Sequence, residues 1–388
     1  MTAKAFTDGT HRARHPDHTW DLISPKLTGF GITRVADVTG LDVIGIPVAM
    51  AVRPLSRTLS VSQGKGQSLT PARVSAVMES IELWHAETVL PPITHRAAPA
   101  AALGLPYELD GLHRELGSLV TEATLLDWTD AVGLVGGGRT PVPLDLIAFA
   151  TPQRRGWTPP GIHATSNGLA SGNDHDEAVL HALYEVIERD AVSLSPRAGR
   201  RTFVDPDSIG DDACAAMIDR IRTAGAELRL VHAPSVTGVA CFTAELWSPD
   251  FPVVTLGAGA HLAPEVALSR ALTEAAQSRL TAIAGSRDDQ APVYDHVSAG
   301  ADGRPEPAPA LLPWARLSAR PVGDFTDLSE ELAWVAAAAA AGFGGEPLVV
   351  DLSTDADFAV VKVIVPGAAL DAGRMHPDGG PEFPPEEP

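Results

Sequence analysis

The stretch ATSNGLASGNDHDEAVLHALYEVIERDAV, residues 164–192, joins a glycine-bearing segment to a strongly periodic helix. Asn173 or Asp174 is suited to cap this helix, and the carboxylates that follow, among them Glu177, lie in the first turn, where they suit the helix dipole. Apolar side chains then recur at spacings of three and four residues. The pattern predicts a glycine loop followed by a helix over 174–192.

A second stretch, SQGKGQSLTPARVSAVMESIE at residues 62–82, repeats this design. It also leads from glycines into a predicted helix, here from Pro71 to about Glu87, with Thr70 and Pro71 as N-cap and first helical residue. Each helix contains the motif E-x-I-E. Either copy alone has an ordinary explanation, because glycine often precedes a helix and glutamate is a good helix former. Two copies favour an internal repeat.

The remaining chain alternates apolar strands with helices. The turn-forming residues Gly136 to Gly138 predict a hairpin over 124–150. The other predicted elements are a strand over 44–52, a helix over 264–283, an alanine-rich helix over 330–341 closed by Gly342, and two late strands, LVVDLS and AVVKVIVPG. This mixture predicts an α/β (mixed α+β) fold, with one domain over residues 1–370 and a Pro/Glu-rich tail over 371–388.

The composition limits the classes of protein to consider. Of the 388 residues, 45% are hydrophobic and 20% are charged, which is ordinary for a globular protein. No run of about 20 apolar residues could span a bilayer, and the N-terminal region lacks the apolar core of a secretory signal. The two cysteines, Cys214 and Cys241, are far apart and belong to no C-x-x-C or Cys/His cluster. We therefore expect a cytoplasmic protein with no membrane partner, zinc site or disulfide.

The net charge of −20 argues against nucleic acid as a partner, because a protein that binds the phosphate backbone needs a basic face. The acidity itself has two explanations. It can serve solubility, or some carboxylates can cluster to hold metal ions. The positions of the carboxylates have to decide between these explanations.

Paired glutamates project from one face of each predicted E-x-I-E helix, because residues three apart in a helix are neighbours. The pairs are Glu79 with Glu82, and Glu185 with Glu188. On the second helix Glu177 and His181 extend the same stripe, and the lysines that usually support a solvated acidic face are missing. Ligand sets made only of oxygen suit hard cations, and Mg²⁺ is typically held by a few carboxylates together with substrate phosphates. The stripes thus indicate a nucleotide site.

The helix over 264–283 offers a third polar face, with Arg270, Glu274 and Gln277 at i, i+4 and i+7. Arginine is suited to a phosphate and glutamate to a metal ion, although a plain i,i+4 Arg/Glu pair is the alternative. A Walker phosphate loop is excluded, because Leu59 and Gly66 stand where that motif needs Gly and Ser or Thr. The metalloprotease and hydrolase motifs H-E-x-x-H and G-x-S-x-G are also absent.

These three polar stretches, the third being RALTEAAQSR at 270–279, resemble the ATP-site segments of the YcaO family and occur in the same order. The segments GTHRARHPDHTW at 9–20 and GITRVADVTGLDVIGIP at 31–47 are similar to the N-terminal part of its stand-alone members, especially those encoded with a TfuA partner. The resemblance covers the chain from about residue 4 to about residue 367.

The resemblance implies the family's fold around one ATP site, in which helical glutamates hold Mg²⁺ ions against the triphosphate. The implied metal and phosphate ligands are Glu79, Glu82, Glu185, Glu188 and Glu274. The implied further nucleotide contacts are Arg12, Thr19, Lys65, Asn173, Glu177, Arg189 and Arg270. The residues expected to act in catalysis are Glu188, Arg189 and Arg270. Many members have arginine where this chain has Leu83, which leaves that contact open.

The activity that the resemblance implies is ATP-dependent modification of the backbone of a ribosomally synthesised peptide. A nucleophile adds to an amide carbonyl, ATP phosphorylates the amide oxygen, and phosphate leaves. Phosphorylation makes an otherwise very poor leaving group able to depart. A Cys, Ser or Thr side chain as nucleophile gives an azoline, sulfide gives a thioamide, and an amine gives an amidine. All three products stay open.

The implied partners are a precursor peptide and a possible TfuA-like or other leader-binding protein. No extra domain for leader recognition is expected here, so either the partner recognises the leader or the catalytic domain binds the peptide directly, and both stay open. A homodimer is also open. The end of the chain, PEFPPEEP at 381–388, is related to the Pro-x-Pro-x-Pro tail of azoline-forming members but irregular, and a disordered acidic tail is the alternative. The competing function is a non-catalytic ATP-binding scaffold subunit, although clustered charges are costly to retain without a ligand.

Overall fold

The structure is a computed structural model, and it describes residues 2–115, 117–149, 161–162, 164–194, 201–286, 303–306, 308 and 310–370. The tail predicted over 371–388 lies outside these residues, so the division into one domain and a tail stays a prediction. Among the described residues, no helix is long and apolar enough to cross a bilayer.

Helices and strands alternate along the described chain. The helices are α1 Pro16–Ile23, α2 Leu69–Thr88, α3 His175–Leu194, α4 Asp212–Thr223, α5 Pro264–Ala284 and α6 Leu328–Phe343. The strands are β1 Arg34–Asp37, β2 Val48–Val52, β3 Val61–Lys65, β4 His95–Pro99, β5 Leu125–Gly133, β6 Arg139–Pro143, β7 Leu169–Gly172, β8 Thr202–Val204, β9 Glu227–His232, β10 Ala240–Ser248, β11 Phe251–His261, β12 Leu311–Leu312, β13 Leu348–Asp351 and β14 Ala359–Ile364. The predicted mixture of helix and strand is confirmed.

The described strands form three sheets. The first has the order β1-β2-β3 and is antiparallel. The second has the order β11-β10-β9-β8-β12, and its β8 and β12 are parallel. The third has the order β4-β5-β13-β14-β7, with β6 paired to β5. Each sheet therefore contributes one strand that leads directly into a long helix: β3 into α2, β11 into α5 and β7 into α3.

Each of these three helices packs against the strand that precedes it, and the two backbones come very close at a glycine of that strand. A Cβ atom on Gly64 of β3 would lie 2.0 Å from the backbone nitrogen of Ala76 in α2. At Gly172 of β7 and Gly257 of β11 the corresponding distances to helix backbone are 2.3 and 2.2 Å. No side chain fits in such a gap, so glycine is required by close approach of helix and strand.

The prediction of glycine loops before the two E-x-I-E helices is therefore corrected. Gly64 and Lys65 belong to strand β3, and Gly172 ends strand β7, although a turn at Gly168 (φ 73°) does precede β7. The repeated unit is a strand followed by a helix. Strand β11 and helix α5 form a third unit of this kind, which the sequence did not reveal.

The apolar faces of the helices pack into separate clusters. One cluster contains Ile81 of α2 and Trp128 of β5, a second contains Leu183 of α3 and Val335 of α6, and a third joins α5 to Phe242 of β10. Burial of each such side chain contributes about 1.5–3 kcal/mol. Because the apolar faces of α2, α3 and α5 pack into these clusters, the polar faces of the three helices are directed toward one another.

Most element boundaries agree with the sequence. The hairpin over 124–150 is confirmed as β5 and β6, and the two late strands as β13 and β14. Of the two candidate caps of α3, Asp174 is the one used, since its Oδ1 accepts the Glu177 N–H at 3.0 Å. The strand predicted from Ile44 begins only at Val48, after a turn at Gly45 (φ 74°).

Two helix ends differ from the prediction. Helix α2 begins at Leu69 after Ser68, so Thr70 is not its N-cap. Helix α6 continues past Gly342 to Phe343, because it is Gly344 that adopts the left-handed conformation (φ 76°) that ends a helix.

Candidate active site

A cavity of 530 Å³ lies where α2, α3, α5, strands β3 and β7 and the N-terminal segment meet. All twelve residues proposed from the sequence line it. They are Arg12, Thr19, Lys65, Glu79, Glu82, Asn173, Glu177, Glu185, Glu188, Arg189, Arg270 and Glu274. Residues that are up to 262 positions apart in the chain (274 − 12) thus share one space.

Six glutamates of the three helices line the cavity, and five of them are the metal ligands expected from the sequence. Neighbouring polar groups orient several of these five. Glu79 accepts a hydrogen bond from the backbone N–H of Gln63 at 2.9 Å. Ser171 of β7 donates its hydroxyl to Glu82 at 2.5 Å, which links the two repeated units. Lys65 of β3 lies 2.5 Å from Glu274 of α5. These contacts orient carboxylates of α2 and α5 within the same cavity.

The carboxylates are poorly compensated. Burial raises the pKa of Glu82 to about 8, and the charges of Glu79 and Glu185 act in the same direction. Burial likewise raises the pKa of Glu185 to about 7, with Glu188 adding to the effect. The pKa of Glu188 is raised by burial and then by Glu274. Like charges and desolvation both favour the protonated acid, so this cluster favours added cations.

Several cationic side chains line the same cavity, and three of them, Lys65, Arg189 and Arg270, belong to the strand–helix units. Arg189 Nε lies 4.0 Å from Glu185 Oε1, and Arg270 and Lys65 face the cavity from α5 and β3. Burial alone would raise the pKa of Glu274, but Lys65 and the arginines outweigh it, and the net direction is down. The protein's own cations thus favour the ionised form of Glu274, in contrast to Glu82, Glu185 and Glu188.

The donor set fits magnesium. The five carboxylates offer oxygen atoms only, which suit a hard divalent cation, and the raised pKa values of Glu82 and Glu185 show charge that the protein does not balance itself. The cations suit an anionic ligand such as phosphate. A cavity that needs both added cations and an added anion fits a magnesium–nucleotide complex.

The N-terminal segment closes one side of the cavity. Glu177 accepts hydrogen bonds from Arg12 Nη1 at 3.3 Å and from the Ala13 N–H at 2.8 Å. Asn173 donates to the same carboxylate at 2.9 Å and accepts the Thr19 hydroxyl at 2.7 Å. Arg12, Thr19, Asn173 and Glu177 therefore form one connected network that joins the segment before α1 to the start of α3.

Sequence reasoning missed several cavity residues. Ser171 was not considered, although it joins β7 to Glu82. His181 was placed on the acidic stripe without a role, yet its Nε2 lies 3.2 Å from Arg270. Ser171 carried no local signal because its partner lies 89 residues away in the sequence. At the departure from the family pattern, Leu83 lines the cavity wall, where it supplies no charge.

The model of one protein family, described as YcaO cyclodehydratase, ATP- and Mg²⁺-binding, matches residues 63–369. The match includes β3, α2, α3 and α5, and so the strands and helices that surround the cavity.

Relatives match over most of their length. A Mycobacterium tuberculosis protein is 43% identical over 95% of this chain and 85% of its own. A Rhizobium leguminosarum bv. trifolii protein, named by its position in the tfuA 3′ region, is 40% identical over 77% of this chain and 74% of its own.

A solved structure has the same fold. The YcaO protein from Methanopyrus kandleri, bound with AMPPCP and Mg²⁺, superposes with a TM-score of 0.73 at 23% identity, over 95% of this chain and 96% of that one. At this identity the likeness shows the fold alone.

Proposed function

The chain belongs to the YcaO family, and we propose that it uses Mg-ATP to activate a backbone amide of a ribosomally synthesised peptide. The observation that carries the proposal is the cavity itself. Six glutamates, a lysine and two arginines from three strand–helix units line one space. The family's description as an ATP- and Mg²⁺-binding cyclodehydratase agrees with this donor set.

Glu79, Glu82, Glu185, Glu188 and Glu274 are the residues that would hold Mg²⁺. The ion, when bound, supplies charge neutralisation for the phosphates during phosphoryl transfer. The glutamates are held on rigid helices that pack against sheets, so their positions cost little reorganisation at the moment of reaction.

The cationic residues have a separate task. Lys65, Arg189 and Arg270 line the cavity beside the carboxylates, where they would bind and orient the anionic phosphates. Arg12, Thr19, Asn173 and Glu177 form the wall next to them and keep the N-terminal segment closed on the ligand. Together these groups exclude water and position the substrates.

The chemistry proposed for the peptide has three steps: a nucleophile adds to the amide carbonyl, the amide oxygen is phosphorylated, and phosphate is expelled. The relative from the tfuA region supports a TfuA-like partner and, with it, a thioamide formed from sulfide. The cyclodehydratase description of the family supports the alternative, an azoline formed from a Cys, Ser or Thr side chain. An amidine formed from an amine is the third product to be tested.

The experiment combines the purified protein with its genomically paired precursor peptide, its partner protein, Mg-ATP and sulfide. ATP hydrolysis that depends on the peptide, together with a mass gain of one sulfur for one oxygen, supports the thioamide, and loss of one water supports the azoline. If the complete mixture consumes no ATP above the background without peptide, the proposal fails and the scaffold function takes its place.

A further inference from the structure

His181 joins two walls of the cavity. It lies on α3 one turn after Glu177 and one turn before Glu185, and its ring contacts strand β7 of its own unit and helix α5 of another. Nε2 is 3.2 Å from Nη2 of Arg270 in α5, and Nδ1 is 3.5 Å from the backbone carbonyl of Ser171 in β7. The imidazole thus lies between β7 and the arginine expected to meet phosphate.

The direction of these contacts follows from their chemistry. The guanidinium of Arg270 is always protonated and can only donate, so Nε2 of His181 has to accept. The ring proton then lies on Nδ1, which faces the Ser171 carbonyl. Burial, followed by the charges of Arg12 and Arg270, holds the pKa of His181 well below its usual value, in agreement with a neutral ring. Its lone pair is used by Arg270, which makes it unsuited to serve as a general base.

The partner of Arg270 differs from those of Lys65, Arg189 and Arg12, whereas Arg14, which also lines the cavity, donates to the backbone carbonyl of Asp357 at 2.7 Å. Lys65 lies against Glu274, Arg189 near Glu185, and Arg12 against Glu177. In the part of the chain that the structure describes, Arg270 has no carboxylate within 4.0 Å, and its recorded side-chain hydrogen bond is the one to His181. A carboxylate would orient an arginine but also neutralise it. A neutral imidazole orients the guanidinium without neutralising it, so Arg270 stays available to a ligand although its charge also acts on Glu185, Glu188 and Glu274.

We propose that His181 is a positioning residue that aims Arg270 at the phosphates of the nucleotide without reducing its charge. The proposal rests on the proposed function, because it takes the anionic ligand to be a nucleotide. It assigns His181 no contact with the reacting atoms.

The test measures binding of Mg-AMPPCP, a non-hydrolysable ATP analogue, by calorimetry, so that no turnover is needed. Replacement His181→Leu removes the acceptor and should weaken binding about tenfold, the usual scale for a hydrogen bond to a charged group. Replacement His181→Gln keeps an acceptor oxygen and should restore most of the affinity. Both variants should melt within a few degrees of the wild type. If His181→Leu does not fold, His181→Ala takes its place.

A double-mutant cycle separates positioning from simple packing. In an Arg270→Met background, His181→Leu should cause no further loss of affinity, because its partner is already gone. Losses that add in the double variant overturn the proposal, and so does a His181→Leu protein that binds with wild-type affinity. The matched control is His85→Gln. His85 also lies on a helix of the cavity, with Nδ1 on the Ile81 carbonyl and Nε2 on Thr354, each at 2.8 Å, but it does not line the cavity.

Different results would contradict the nucleotide site and the positioning role of His181. If the wild type does not bind Mg-AMPPCP, the nucleotide site is wrong. If the wild type binds it and the cycle shows no coupling between positions 181 and 270, the nucleotide site stands and His181 has only a structural role.

Discussion

Helix α2 carries two glutamates, Glu82 and Glu87, whose surroundings are opposite. Glu87 is 3% exposed and is clamped by Arg53 at 2.6 Å, with the hydroxyls of Ser56 and Thr58 on the same carboxylate. Burial raises its pKa, but Arg53 and the hydroxyls outweigh burial and bring the value to about 2. Glu82 has one serine partner and other carboxylates near it, and its pKa rises to about 8.

The comparison separates a structural carboxylate from one that is poised for a ligand. The chain satisfies Glu87 completely with its own groups, so nothing is left for an added cation. It leaves Glu82 and its neighbours undercompensated, which is destabilising unless cations arrive. The same helix thus contributes to fold stability at one end and, in our proposal, to ligand binding near its middle.

The largest expected effect is a loss of stability when the buried ion pair between Arg53 and Glu87 is broken. Arg53→Met leaves the charge of Glu87 buried without its partner and should lower the free energy of unfolding by about 3–5 kcal/mol. Urea unfolding of the apo protein measures it. The exposed Arg34 supplies the control, and Arg34→Met should change the stability by about 0.5 kcal/mol or less. A small effect of Arg53→Met would show that Glu87 is not held as the structure indicates.

The second effect is on catalysis. Glu188→Gln keeps the shape of a side chain that is 3% exposed but removes a charge from the proposed Mg²⁺ ligands. Peptide modification should slow on the order of a hundredfold, or about 3 kcal/mol, while the fold survives. Single-turnover rates and a melting curve measure the two properties. Glu330→Gln, at an exposed position of α6, is the control. Modification by Glu188→Gln at the wild-type rate would falsify the role of Glu188.

A third effect is the stabilisation of the native state by Mg-ATP. A ligand that binds only the folded chain, present at 100 times its dissociation constant, adds about 2.7 kcal/mol. The pKa values of Glu82 and Glu185 lie above the ordinary 4.5, so apo stability falls as pH rises toward about 8, where these carboxylates have to ionise without compensation. Bound cations remove that penalty. The thermal shift caused by Mg-ATP should therefore be larger at about pH 8 than at about pH 6.

The corresponding readout is proton release. Calorimetry in two buffers of different ionisation enthalpy should show that Mg-ATP binding at neutral pH releases protons, as ligand carboxyls lose them. A folded protein that shows neither a thermal shift nor proton release at millimolar Mg-ATP would contradict the assignment of the nucleotide site.

The smallest expected effect is a change in melting temperature that tests the contrast between Glu82 and Glu87 on α2. Glu82→Gln removes the carboxyl group that has to ionise at high pH. At about pH 8 the apo variant should therefore melt at a higher temperature than the apo wild type. At about pH 5, where the wild-type carboxyl is protonated, the two melting temperatures should be almost equal. Thermal melts of wild type and variant at both pH values measure it. A loss of stability at both pH values would place Glu82 with Glu87 among the structural carboxylates.

The success of sequence reasoning was uneven for physical reasons. Helix faces follow from local spacing, so the stripes that carry Glu79, Glu185 and Glu274 were found without a structure. Gly64 and Gly172 of the repeat were misassigned to loops, because a glycine needed for close approach and a glycine needed for a turn look the same in a sequence. At Gly64 only the helix backbone packed against it distinguishes the two cases.

The sequence by itself determined helices α2, α3, α5 and α6, the acidic stripes along three of them and, through its motifs, the family, because these depend on short-range periodicity and on local segments. The resemblance to that family then supplied the twelve candidate residues. The tertiary structure decided how the stripes meet: Lys65 pairs with Glu274 across 209 positions, and Ser171 reaches Glu82 across 89. It also decided which carboxylates are compensated. Burial and the distance between charges set the pKa of Glu82, and neither quantity exists until sheets and helices have packed together.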